Sequence, residues 1–148
     1  MRAIRRETMN KQAKDYFLAA FGTEKTIDLL FEVLDALPVS VLLKNEKLEK
    51  IFANRANLEL DELELNDVLG KSDFEFHSSD LATGFVAEDR AVFAEGKTRT
   101  REEYKIRKDG KRIDFLTSKS IVTTPSGDRL LEGSNTIIDA LKARETQL

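Results

Sequence analysis

The chain has no cysteine, no tryptophan, one histidine and two prolines among its 148 residues. Each shortage removes a class of chemistry. Without cysteine there is no disulfide, no thiolate metal ligand, no sulfur nucleophile and no flavin or chromophore attached through sulfur. A lone His77 supports neither a histidine metal cluster nor a conventional Ser-His-Asp triad. Paired carboxylates at a recognisable catalytic spacing are also missing, so no catalytic residue and no metal ligand is assigned. Gly70, Gly84, Gly96, Gly110, Gly127 and Gly133 fit neither a G-x-G-x-x-G fingerprint nor a P-loop. No apolar run approaches the roughly 20 residues that cross a bilayer. The start is basic through Arg6 but leads into Glu7, Asn10 and Lys11, not into the apolar centre of a signal peptide. The expectation is a cytoplasmic protein without membrane insertion.

What is present is ordinary for a globular protein: 41% hydrophobic and 34% charged residues, with a net charge of −3. That balance offers no basic footprint for nucleic acid. Basic residues crowd the stretch from Lys97 to Arg112, but Glu102, Glu103 and Asp109 interleave with them, which reads as a solvated strand face. The length suits one domain with its own core and a helical lead-in.

The first 22 residues are highly charged, with Ile4, Met9, Ala13, Phe17, Ala20 and Phe21 on one side of a helix ended by Gly22. Thr23 or Thr26 can cap a second helix whose apolar stripe is Ile27, Leu30, Phe31, Leu34 and Leu37, stopped by Pro38. Strands are expected over residues 39–43 and 48–53, and Asn54 opens a short helix. Ser72 and Glu75 have capping-box spacing, and Ser78 or Ser79 caps a long helix running to Gly96. The period then switches from about 3.6 to 2. Strands follow over residues 97–108, 111–124 and 128–136, broken at Asp109-Gly110 and Pro125-Ser126-Gly127.

Read as a two-residue primed turn, Asp109-Gly110 places Lys108 opposite Lys111. That register predicts pairs Ile106–Ile113, Tyr104–Phe115 and Glu102–Thr117, with Lys105 meeting Asp114. The predicted apolar face then carries Tyr104, Ile106, Ile113, Phe115 and Ile121, together with a Glu102–Lys119 charge couple. Asp89, on the apolar stripe of the long helix, is expected to pair with a Lys or Arg or to cap neighbouring backbone.

This order of elements resembles the PAS domain family of bacterial sensor proteins. The resemblance rests on Ala36-Leu37-Pro38-Val39-Ser40-Val41, Ile51-Phe52-Ala53-Asn54-Arg55-Ala56, Gly70-Lys71-Ser72-Asp73-Phe74-Glu75 and residues 89–97 at the end of the long helix. It implies an α+β fold: a five-stranded antiparallel sheet flanked by helices on one side. The implied organisation is a helical lead-in or dimerisation segment over 1–22, the PAS domain over 23–138 including the helix at 23–37, and the start of a connecting helix over 139–148. Ile137-Ile138-Asp139 stands where the family writes Asp-Ile-Thr, which makes Asp139 the signal-output candidate. The implied ligand pocket lies between the long helix and the meander, with Tyr104, Phe115, Lys119, Glu102, Phe85 and Asp89 as its candidate residues.

No cofactor is assigned. Haem-binding members place a His on the long helix, whereas residues 80–96 hold none and His77 reads as a capping or surface residue. Cysteinyl flavin needs the missing Cys, and the lack of Trp does not recommend a non-covalent flavin. The resemblance implies a homodimer and a covalently linked effector, a histidine kinase first and a cyclase second. Two functions fit: a dimerisation and signal-relay module, or a small-molecule or redox sensor.

Overall fold

The computed structural model describes the backbone of residues 2–147 and the side chains of residues 10–146. The side chains of Ile4 and Met9, part of the expected lead-in stripe, lie outside the described residues. The chain divides into two compact units, Met1–Ala36 and Leu37–Leu148.

The first unit is helix α1 (Arg2–Ala36), broken at Gly22, whose φ of 75° and ψ of 171° lie outside the helical region. Glycine takes that conformation without a Cβ penalty. Thr26 does not act here as a simple cap: its hydroxyl donates back across the break to the Phe17 carbonyl, 3.2 Å away.

The second unit is a five-stranded antiparallel sheet with helices inserted between its second and third strands. The strands are β1 (Ser40–Lys44), β2 (Lys50–Ala53), β3 (Arg99–Ile106), β4 (Arg112–Thr123) and β5 (Arg129–Ile137), in spatial order β2-β1-β5-β4-β3. Between β2 and β3 come α2 (Arg55–Asp61), α3 (Leu65–Val68), a single 3-10 turn (Asp73–Glu75) and α4 (Ser79–Glu95); α5 (Asp139–Gln147) follows β5. The caps read from the sequence are in place. Asn54 accepts from Asn57 N–H at the start of α2, and Ser78 accepts from Leu81 N–H at the start of α4. Ser72 and Glu75 form a reciprocal capping box, and Gly96 closes α4 at φ 64°. Asn54 also ties α2 to β1, accepting from Val41 N–H at 2.8 Å and donating to the Val39 carbonyl at 2.9 Å.

The C-terminal half of α4 supplies Val92 and Phe93 to a core shared with Leu48 and Leu131, against which Leu42 and Ile121 pack. Val92 and Leu131 are fully buried, each worth about 1.5–3 kcal/mol of transfer free energy. A second cluster of Leu60, Ile113 and Phe115 sits between α2 and β4.

The β3–β4 register corrects the sequence expectation by one residue. Ile106 pairs with Arg112, Lys105 with Ile113, Tyr104 with Asp114, Glu103 with Phe115 and Glu102 with Leu116. The cause is the turn. Arg107 N–H bonds to Lys111 O, enclosing a three-residue loop whose Gly110 alone has positive φ, at 86°. A primed two-residue turn would need positive φ at Asp109 as well. The Lys111 N–H instead bonds to the Asp109 side chain. Because side chains alternate, a one-residue slip exchanges the faces of β3. Glu103 and Lys105 point inward, while Glu102, Tyr104 and Ile106 are exposed on the outer face. The predicted Glu102–Lys119 couple therefore does not form.

The two glycines of this region respond oppositely to a methyl group. Gly110→Ala is expected to destabilise by about 1 kcal/mol, the left-handed penalty of an L-residue. Gly84→Ala, in an open helical position with nothing within 4 Å of a new Cβ, is expected to stabilise by about 0.5–1 kcal/mol. Urea denaturation of both variants checks the signs, and an unaffected Gly110→Ala would contradict the loop geometry.

Candidate functional site

The inner face of the sheet is assembled in rows across the strands. Lys44, Leu131 and Ile121 form one row, Leu42, Gly133 and Lys119 the next, and Ser40, Asn135 and Thr117 the third. At the centre of the middle row Gly133 has no side chain, and a Cβ there would stand 3.2 Å from Leu42 Cγ. Above this floor lies the N-terminal half of α4. The space between is a cavity of about 360 Å³. Its walls include Phe85 and Asp89 from α4, Phe115, Thr117 and Lys119 from β4, and Lys44 and Lys50 from β1 and β2.

A buried ion network marks the boundary between this cavity and the packed core. Asp89, fully buried, accepts from Lys44 Nζ at 2.6 Å through one oxygen and from Lys119 Nζ at 2.7 Å through the other. Lys44 also donates to Asp73 at 2.5 Å. The Glu88 carboxylate sits 3.5 Å from Lys119 and 3.2 Å from Arg101. Burial opposes the charge on Lys44, but the carboxylates of Asp89 and Asp73 outweigh it and hold its pKa above the ordinary 10.5. Its ion-pair stabilisation is thus present below pH 10.5 and lost as pH rises through the raised value.

Lys50, the cross-strand partner of Lys44, is less evenly matched. Lys50, 1% exposed, lies 3.3 Å from Asn57 Oδ1 and 3.5 Å from Asp61 Oδ2, with its ammonium 5.0 Å from the Phe76 ring centre. Asp61 is shared with Lys105 at 3.3 Å. Burial pushes the Lys50 pKa below the ordinary lysine value; Asp61 opposes this and the neighbouring Lys44 charge adds to it. A charged Lys50 therefore weakens the fold, an effect relieved as pH rises through its lowered value. His77 packs against Phe76 and Phe85, ring centroids 4.7 and 5.3 Å away. Burial lowers its pKa too.

Of the residues singled out in the sequence, Phe85, Asp89, Phe115 and Lys119 come together on the cavity wall. Tyr104 borders the cavity, but its ring stacks under the Arg112 guanidinium, 4.0 Å away, on the outer side of the sheet. Glu102 is not on the wall; it faces Lys142 at 3.4 Å. His77 lines the cavity and does not cap α4, a role Ser78 fills. Asp139 accepts Asp114 N–H at 2.8 Å, so its carboxylate joins α5 to β4. Sequence reasoning missed Lys44, Lys50, Asp61 and Asp73. Inward alternation of Ser40, Leu42 and Lys44 was the signal for Lys44, obscured by the turn residues that follow it. Among the described residues no group of three His, Asp or Glu is placed to hold a metal ion, and no helix is long and apolar enough to cross a membrane.

Removing Asp89 leaves two buried ammoniums with less counter-charge. Asp89→Asn is expected to cost about 3–5 kcal/mol. Lys119→Met combined with Asp89→Asn should cost less than the sum of the two, by about 0.5–3 kcal/mol. Denaturation of the four proteins in that cycle checks it; additive losses would deny the coupling.

A family model described as PAS fold matches residues 34–135. A diguanylate cyclase of Vibrio cholerae serotype O1 (strain ATCC 39541 / Classical Ogawa 395 / O395) is 32% identical over 117 residues, 76% of this chain. The chain spans only 36% of that relative's length. Among solved structures, the PAS domain of Bordetella pertussis BvgS superposes with a TM-score of 0.67 at 16% identity, over 83% of this chain and 95% of that one. The Vibrio cholerae VqmA dimer gives 0.68 at 22% identity, over 80% and 52%. With its matched residues spanning the sheet and inserted helices, the chain belongs to the PAS fold family.

Proposed function

We propose that this chain is the regulatory input module of a larger signalling protein, and that it holds a small polar molecule in the cavity under α4. The cavity carries the reading. Its volume of about 360 Å³ lies at the lower end of the range for small-molecule sites, and its polar groups converge from all five strands and from the helices inserted between β2 and β3. Structures of VqmA, which shares the fold, include one bound to DPO. The diguanylate cyclase relative favours a cyclase as effector over the histidine kinase expected from the sequence. Output would leave through α5, which is fastened to the β3–β4 pair by Asp139 on Asp114 N–H and by Lys142 near Glu102 and Asp114. A bias of about 1–3 kcal/mol between two settings of that joint suffices for regulation.

The test is thermal denaturation against a library of small polar metabolites, with native mass spectrometry of the freshly purified chain. A ligand at a hundredfold over its Kd is expected to add about 2.7 kcal/mol. Gly84→Trp, which fills the cavity from an open helix position, should abolish that gain. A library without effect, beside a mass for the bare chain alone, would sink the sensing reading.

Relay by self-association has its own support. Helix α1 exposes Tyr16 (71%), Ile27 (50%), Leu30 (57%) and Val33 (50%), more apolar surface than a lone helix leaves uncovered without reason. Ile27→Glu with Leu30→Glu is expected to weaken association about tenfold or more in sedimentation equilibrium, and an unchanged mass would remove α1 from the dimer account.

A further inference from the structure

Four lysines line the cavity, and three of them are satisfied at short range. Lys44 reaches Asp73 and Asp89 at 2.5 and 2.6 Å, Lys119 reaches Asp89 at 2.7 Å, and Lys105 reaches the Leu60 carbonyl at 2.5 Å. Lys50 differs. An ammonium has three donors, yet among the described residues its closest acceptors stand at 3.3 and 3.5 Å, beyond the usual N–H···O optimum. The nearer, Asn57, is already engaged with Ser40 through its amide nitrogen. The farther, Asp61, also serves Lys105. Lys50 therefore shares Asp61 with one other ammonium, and the other carboxylate acting on it, Asp73, is already bonded to Lys44. Next to it, Lys44, the cross-strand partner of Lys50, and Lys119 meet Asp73 and Asp89, with Glu88 and Arg101 beside them.

We propose that the molecule held in this cavity is a small monocarboxylate, its carboxylate on the Lys50 ammonium and its apolar body between Phe85 and Phe115. The proposal rests on the sensing reading and names its ligand class. A cation would meet a weakly compensated ammonium, and a neutral molecule could accept a hydrogen bond but would bring no counter-charge. An anion supplies both the charge and the short acceptors that Lys50 lacks. The remaining wall suits a compact apolar body, because Leu42, which packs over Gly133, joins Phe85 and Phe115 in lining the space. Burial, which holds Lys50 below the ordinary lysine range, is the cost that such a counter-ion would offset.

The experiment titrates the full chain with benzoate and benzamide, and with hexanoate and hexanamide, following backbone amide shifts by NMR. Each carboxylate is expected to bind about tenfold or more tightly than its amide, with shifts centred on Lys50, Asn57 and Phe85. Lys50→Met keeps the side-chain length while Asp61 retains Lys105, and it should reduce the carboxylate to the affinity of the amide. Equal binding of acid and amide by the native chain overturns the anion assignment and leaves the cavity reading intact. Carboxylate affinity that survives Lys50→Met overturns it as well, by placing the anion elsewhere. Shifts with neither member at millimolar concentration overturn this proposal, while the sensing reading stands or falls by the metabolite library.

Discussion

One carboxylate holds the second unit's layers in their relation to each other. Asp89 projects from the middle of α4 and takes a lysine on each oxygen, Lys44 from β1 and Lys119 from β4. These strands are not neighbours, since β5 lies between them. A single side chain thus fixes the helix over the centre of the sheet. Burying three charges costs several kcal/mol each before pairing, so the arrangement survives only because each ion meets an opposite one at hydrogen-bond distance.

The position of Asp89 along α4 also explains why there is a cavity at all. Toward the C-terminus, Val92 and Phe93 pack into the core with Leu48 and Leu131. Toward the N-terminus, Gly84 and Phe85 border the cavity, as does Leu42, whose side chain covers Gly133. The long lysine arms brace the helix at the transition between these two halves. Well-packed hydrocarbon at the same positions would often be as stable or more so, but it would close the space. Polar groups retained at such expense fit a protein in which the gap is used.

The sequence made the elements legible because local signals agreed with the global fold: Asn54, Ser78, the Ser72 and Glu75 box and Gly96 each sit at the helix end they foretold. Asp89 was legible as an ionisable residue on an apolar stripe, but its partners are 45 and 30 residues away in the chain, and no local pattern names them. The register was not legible, because Asp109-Gly110 suits either a two-residue or a three-residue loop. Only tertiary contacts separate these choices. Lys105 on Asp61 and the Leu60 carbonyl, and Lys108 N–H on Glu62, hold the hairpin against the end of α2 in the three-residue form. Lys50 escaped because β2 has four residues, too few for alternation to identify an inward lysine.

That register shift matters for the root of α5 as well as for the cavity. On the inner face of the β3–β4 pair, Glu103 and Phe115 line the cavity. On the outer face of the same pair, Glu102 and Asp114 meet Lys142, and the Asp114 backbone bonds to both Ile138 and Asp139. Alternation places these two sets one residue apart along each strand. Under the proposed function, a displacement of the hairpin by a molecule on the inner face would reach the root of α5 without an intervening relay of side chains. Glu102, removed from the cavity by the shift, belongs to the joint where the sheet hands its position to the departing helix.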